Sequence, residues 1–182
     1  MEKSLVLFNR RISFIMFKKL LSACLCLVLC FVSVSCRKQE SDPIVTVSSR
    51  TEQAEICGFT PPDILLDGYA VSSYRTIYGI VAETEYTAEQ DEKRAVLRMT
   101  DGGYNVNNLS GFTDMGLEDV YTYDDGREFE IETRDGVFAV EWESEYSGKK
   151  YKLSLTVFDG TLLDTRILLK QVLAAYNTEE NT

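Results

Sequence analysis

Histidine is absent from this chain. That one absence removes Ser-His-Asp and Cys-His catalysis, His-ligated zinc and haem, and a histidine pH switch. Carboxylate, lysine and tyrosine chemistry stay open. Cysteine is scarce where it would matter: of five, Cys24, Cys26, Cys30 and Cys36 crowd the first 36 residues and only Cys57 follows. Basic residues are the third shortage, with 19 Lys and Arg against 29 Asp and Glu and a formal net charge of −10. Nucleic acid wants a basic stripe, so the balance argues against it as a partner. It argues equally against a domain lying flat on an anionic bilayer. Internal repeats and low-complexity tracts are missing, and there is a single long apolar run.

That run is Leu20–Val34. Lys18 and Lys19 precede it, the small residues Ser33 and Ser35 close it, and Cys36 and the polar Arg37-Lys38-Gln39-Glu40 follow. A cationic start, a short apolar stretch and a small-residue cleavage site make a secretory signal peptide. The run is shorter than the roughly 20 apolar residues a membrane-spanning helix needs. With the cysteine just after the small residue, Ser33-Val34-Ser35-Cys36 resembles the lipobox of bacterial lipoproteins. Such a lipobox implies that the Cys36 thiol is lipidated and becomes the mature N-terminus. An uncleaved anchor and ordinary secretion are the alternatives, and Ser33 stands where lipoboxes more often carry Leu. A start at Met16 gives a signal of more usual length than one at Met1. The expected organisation is a lipoprotein signal peptide over 1–35, a flexible tether over 36–54 and one domain over 55–178. Without the leader, the remaining 147 residues carry 14 basic and 28 acidic groups. Cys57 is then alone, no intrachain disulfide can form, and Ile56-Cys57-Gly58-Phe59 reads as a buried small hydrophobe.

The tether expectation rests on the polar composition of Arg37–Ala54, with one apolar patch at Ile44–Val47. Thr60-Pro61-Pro62-Asp63 is a rigid turn, and Asp67-Gly68 a second. Strands are predicted over Tyr69–Tyr78, Ile80–Tyr86, Arg94–Met99, Glu118–Tyr123, Glu128–Thr133, Val137–Glu143 and Lys150–Phe158. Asp-Gly and Ser-Gly turns separate several of them, the mark of an antiparallel meander. Tyr104–Met115 is irregular and reads as a long loop. The period then changes: Leu162, Leu163, Ile167, Leu168, Leu169, Val172, Leu173 and Tyr176 recur at helical spacing. Thr161 and Asp164 supply a capping-box-like start. The fold class is therefore α+β, a curved antiparallel β-meander of about seven strands packed by one C-terminal helix. The other sheet face is either solvated or lines a groove.

Three groups of residues invite a chemical reading. Asp114, Glu118, Asp119, Asp124 and Asp125 are dense in acid, but their spacing does not fit an EF-hand loop; a solvated edge accounts for them. Glu128, Glu130 and Glu132 share a strand face, as do Glu141 and Glu143. Paired carboxylates can run glycosidase chemistry, yet alternation predicts the same pattern for any solvated sheet. Tyr74, Tyr78, Tyr86, Tyr104, Tyr121, Tyr123 and Tyr146 could line a sugar- or peptide-binding face, or simply pack. Trp142 reads as core. No catalytic residue, metal ligand or cofactor site is assigned; Cys36, the lipidation site, is the one functional residue.

The order Asn108-Leu109-Ser110-Gly111, Asp-Gly turns, Ala139-Val140-Glu141-Trp142, Tyr151-Lys152-Leu153 and a closing amphipathic helix resembles a known family. It is a domain of unknown function found in Gram-positive lipoproteins and in anti-sigma-factor ectodomains. The start, Pro62 followed by Asp67-Gly68-Tyr69, is similar too, and the resemblance spans about Pro61–Tyr176. The family is distantly similar to the half-barrel fold of periplasmic lipoprotein carriers, and it implies no catalytic residues. The expected function is a binding or sensing module without catalytic activity, lipid-anchored on the outer face of the cell membrane. Its partners are the membrane, through the lipid, and an envelope protein or small ligand. The alternative is a carrier or chaperone that holds an apolar ligand or a lipoprotein in a half-barrel groove. A continuous apolar face would favour the carrier, a polar one the module.

Overall fold

The computed structural model describes residues 43–179 apart from 105 and 147. The strands are β1 (Ile44–Val47), β2 (Tyr69–Ile77), β3 (Val81–Ala88), β4 (Arg94–Asp101), β5 (Gly116–Thr122), β6 (Glu128–Arg134), β7 (Val137–Tyr146) and β8 (Lys149–Phe158). The helices are α1 (Arg50–Cys57) and α2 (Leu162–Glu179). One open antiparallel sheet holds all eight strands in the order β1-β2-β3-β4-β8-β7-β6-β5.

The α+β class stands, with three corrections to the architecture. The sheet has eight strands, not about seven, and a second helix precedes the C-terminal one. Residues 43–54, expected as tether, supply both extra elements. β1 adds to the edge of β2, with Val47 opposite Tyr74. α1 is capped at both ends: Ser49 Oγ accepts from the Glu52 amide, and Gly58 turns out of the helix at φ 76°. Its apolar content is low, so tertiary contacts must hold it. Gln53 is completely buried, and its Nε2 donates to the carbonyls of Arg75 and Glu83, both at 2.8 Å. Third, the order is not a simple meander. A simple meander would put β5 beside β4. Instead β8 takes that place, and residues 102–115 carry the chain across to the far edge.

Strand alternation gives the sheet two unlike faces. On the first, Leu97, Leu155 and Val140 stand in cross-strand register, with Met99, Leu153 and Trp142 in the next row. α2 lays Leu168, Leu169, Val172, Leu173 and Tyr176 over this face, all buried. Each such side chain contributes about 1.5–3 kcal/mol on leaving water. Trp142 meets Phe129 edge-on at 6.1 Å, as a core aromatic should. Leu163 and Ile167 were expected in the same stripe but are 65% and 47% exposed. Three-and-four spacing defines a face about 100° wide, and those two fall outside it. Residues 59–66 cover the rest of the first face. Phe59 packs on Tyr151 at 5.4 Å, and the Tyr86 hydroxyl donates to the Ile64 carbonyl at 3.1 Å.

Candidate functional site

The second face is polar. Cross-strand register lines up Arg75, Glu83, Arg98, Ser154 and Glu141 on β2, β3, β4, β8 and β7. Glu83 is buried between two guanidinium groups, with Arg75 Nε at 2.5 Å and Arg98 Nε at 2.7 Å. Beside it Glu85 takes Arg75 Nη2 at 2.7 Å and Arg94 Nη1 at 3.2 Å. Alternating charge lets each buried carboxylate meet cations on both sides, which a row of one sign would not allow.

Residues 106–115 lie across this row as a strap. Arg98 Nη1 donates to the carbonyls of Leu109, at 3.0 Å, and Ser110. Glu141 Oε1 accepts from the Ser110 amide at 2.6 Å. Lys152 Nζ donates to the Val106 carbonyl at 3.0 Å and pairs with Glu141 Oε2 at 3.3 Å. Farther along, Arg134 Nη1 donates to the Thr113 carbonyl at 2.9 Å. Within the strap, Asn108 Oδ1 accepts from Ser110 Oγ and the Gly111 amide, and Asn108 Nδ2 donates to the Phe112 carbonyl. Asn108 itself has φ 60°, a left-handed conformation that asparagine tolerates better than most residues. Phe112 rests on Phe158 at 5.8 Å. Leu109 and Ser110 are thereby buried.

Two shallow cavities flank the strap. One, about 240 Å³, is lined by Gly102, Gly103, Tyr104, Val106, Asn107, Glu143 and Lys152. The other, about 330 Å³, is lined by Asn108, Ser110, Phe112, Thr113, Asp114, Met115, Glu132 and Glu141. Glu128, Glu130 and Glu132 do share this face with Glu141 and Glu143, as alternation predicts. Glu132 and Glu141 line one cavity; Glu128, Glu130 and Glu132 are exposed, while Glu141 is engaged by Ser110 and Lys152.

The other proposed groupings come apart. Asp119 is held by Arg166 of α2, Asp124 by Lys170 at 3.3 Å and Asp125 by Arg127 at 2.7 Å. Each of these acids has its own cation, two of them on α2, and among the described residues no group of His, Cys, Asp and Glu is placed to hold a metal. The tyrosines do not share a binding face either. Tyr86 is core, Tyr121 and Tyr123 pack against the core, Tyr78 sits at the β2–β3 turn at φ 53°, and Tyr104 lines the smaller of the two cavities. The Tyr146 side chain lies outside the described residues, as do Cys36 and the leader. Among the described residues no helix is long and apolar enough to cross a membrane.

Arg98, Glu83 and Ser154 were not singled out by sequence reasoning, and Lys152 entered it only within Tyr151-Lys152-Leu153. A signal was available: Arg75, Glu83, Glu85, Arg94 and Arg98 occupy the same alternation phase on consecutive strands, with opposite signs facing. No family model, curated protein or solved structure matches the chain.

Proposed function

We propose that this chain is a binding or sensing module without catalytic activity, held at the outer face of the cell membrane through lipid on Cys36. The leader supports the anchor: Lys18-Lys19, the apolar run and Ser33-Val34-Ser35-Cys36 are the parts such processing requires, and two acyl chains hold a protein where one does not. The resemblance to the lipoprotein domain of unknown function fits the same reading. The observation that carries the binding role is the second sheet face, where charged side chains and two open cavities flank the strap. An apolar cargo needs a continuous apolar surface. The first face is already filled by α2 and residues 59–66, and the second offers arginine, glutamate and lysine, so support lies with the module rather than the carrier.

The test has two arms. Cys36→Ala should abolish acyl labelling and release the chain from membranes; a variant that keeps its leader and stays in the membrane overturns the anchor. Glu132→Lys and Glu143→Lys alter the walls of the two cavities at exposed positions. Molecules cross-linked to the full-length chain should be lost at least about tenfold with these variants, at unchanged thermal stability. Turnover of an ester or glycoside that disappears on replacing one acidic residue, with the fold intact, overturns the non-catalytic reading.

A further inference from the structure

Among the described residues, the charged hydrogen bonds from sheet side chains to the strap end on its main chain. Lys152 takes the Val106 carbonyl, Arg98 the Leu109 and Ser110 carbonyls, and Arg134 the Thr113 carbonyl. Glu141 takes the Ser110 N–H. A guanidinium on the C=O side and a carboxylate on the N–H side recognise the peptide group itself, and any chain carries that group.

The strap does not use all of this cradle. Ser154 stands in register between Arg98 and Glu141, completely buried, and its hydroxyl has no hydrogen-bond partner among the described residues. Thr156, next on the same face of β8, is in the same condition. Buried hydroxyls in folded proteins are normally paired. The strap meanwhile reaches its place through left-handed residues at Asn108, Gly111 and Asp114. An added Cβ at Gly111 would stand 2.9 Å from Arg98 Nη1. The segment is bent to fit rather than extended, and cavities remain on both sides of it. Leu109, its one buried apolar side chain, lies outside the main apolar cluster.

We propose that the floor formed by Arg98, Ser154, Glu141 and Lys152 is a binding site for the main chain of a polypeptide segment, filled in cis by residues 106–113. An incoming segment displaces the strap and takes over its carbonyl and amide partners, and its side chains enter the two flanking cavities. The strap then acts as an intramolecular competitor that sets the threshold for binding. This rests on the binding-module reading and names its ligand class.

The probe is a capped synthetic octapeptide with the sequence of residues 106–113, labelled for fluorescence anisotropy. Gly111→Ala in the full-length chain pushes a methyl group against Arg98 at a left-handed backbone position and leaves every floor residue unsubstituted. Its Ser110 amide should exchange with solvent at least tenfold faster than in the native chain, and the variant should bind the octapeptide at least tenfold more tightly. The same peptide N-methylated at its serine cannot donate to Glu141 and should bind at least tenfold more weakly. A second variant replaces residues 106–113 by an equal length of Gly and Ser and should bind the octapeptide with the same N-methyl sensitivity. A folded variant with a released strap and no binding overturns the proposal, as does binding indifferent to N-methylation. If neither variant unfolds cooperatively, the strap is an integral part of the fold and the proposal falls too. Failure here, with cross-linking still sensitive to Glu143→Lys, removes the peptide cradle and leaves the binding module standing.

Discussion

At the scale of single residues, burial and pairing decide which groups keep their chemistry. Cys57 closes the last turn of α1 and is buried in the apolar cluster with Phe59 and Ile64. Burial pushes its thiol up to about 11, because a thiolate has nothing there to replace water. A raised pKa starves the reactive species: against an ordinary thiol near 8.5, the thiolate fraction at neutral pH falls about 300-fold. A maleimide or disulfide reagent should therefore label the folded chain at least that slowly, and label the denatured chain at the normal rate. Labelling of the folded chain that is fast at pH 7 would show that the thiol is accessible. Glu83 shows the opposite solution on the second face: equally buried, it keeps its place by lying between Arg75 and Arg98. Isolated residues announce neither outcome. Ile56-Cys57-Gly58-Phe59 is apolar enough to read as core, whereas Glu83 looks in sequence like one more solvated acid on an alternating strand.

At the scale of elements, local signals located the strands and the C-terminal helix, and long-range contacts explain what they left out. β3, β4, β6, β7 and β8 fall where alternation and Asp-Gly or Ser-Gly turns put them. β1 and α1 escape such reading because they are short and carry little apolar periodicity. What holds α1 is Gln53 reaching carbonyls 22 and 30 residues away. Residues 102–115 are legible as a loop but not as a clamped one, since Glu141 and Lys152 come from strands 31 and 46 residues on. The start of α2 was legible from two residues. Thr161 Oγ1 accepts from the Asp164 amide at 3.2 Å, and Asp164 Oδ2 accepts from the Thr161 amide at 2.8 Å. Lys93 adds an ion pair at 3.3 Å. Burial pushes the Asp164 carboxyl up, but the Thr161 donors and Lys93 outweigh it and hold it below the ordinary aspartate value. A depressed folded value means that this stabilisation is present above the unfolded pKa of about 3.9 and is lost as pH falls through the folded one. Asp164→Ala should thus cost about 1 kcal/mol at pH 7. Chemical denaturation at descending pH should show the gap to the native chain closing below pH 4; a gap constant down to pH 2 would assign the loss to something other than the carboxylate.

At the scale of the whole molecule, the sheet divides its labour between two faces. The first is an apolar surface covered by its helices and residues 59–66, and the second is a charged surface crossed by the strap. The division makes α2 central, because Leu168, Leu169, Val172, Leu173 and Tyr176 share one apolar cluster with Leu153, Leu155, Val140 and Trp142. Ending the chain at Gly160 removes Leu168, Leu169, Val172, Leu173 and Tyr176 together, all buried. At about 1.5–3 kcal/mol each, their loss amounts to roughly 8–15 kcal/mol, as large as the whole stability of an ordinary domain, about 5–15 kcal/mol. The strands that remain would show a bare apolar face, which is the condition for aggregation or for a loosely packed state that binds hydrophobic dyes. The truncated chain should accordingly lose its cooperative thermal transition. Ile167→Asp supplies the control: Ile167 is on the same helix but faces outward, so the full-length variant should unfold within about 0.5 kcal/mol of the native chain. A cooperative transition in the truncated chain would mean that the sheet has another cover. A collapse caused by Ile167→Asp would mean that α2 presents a different face to the sheet.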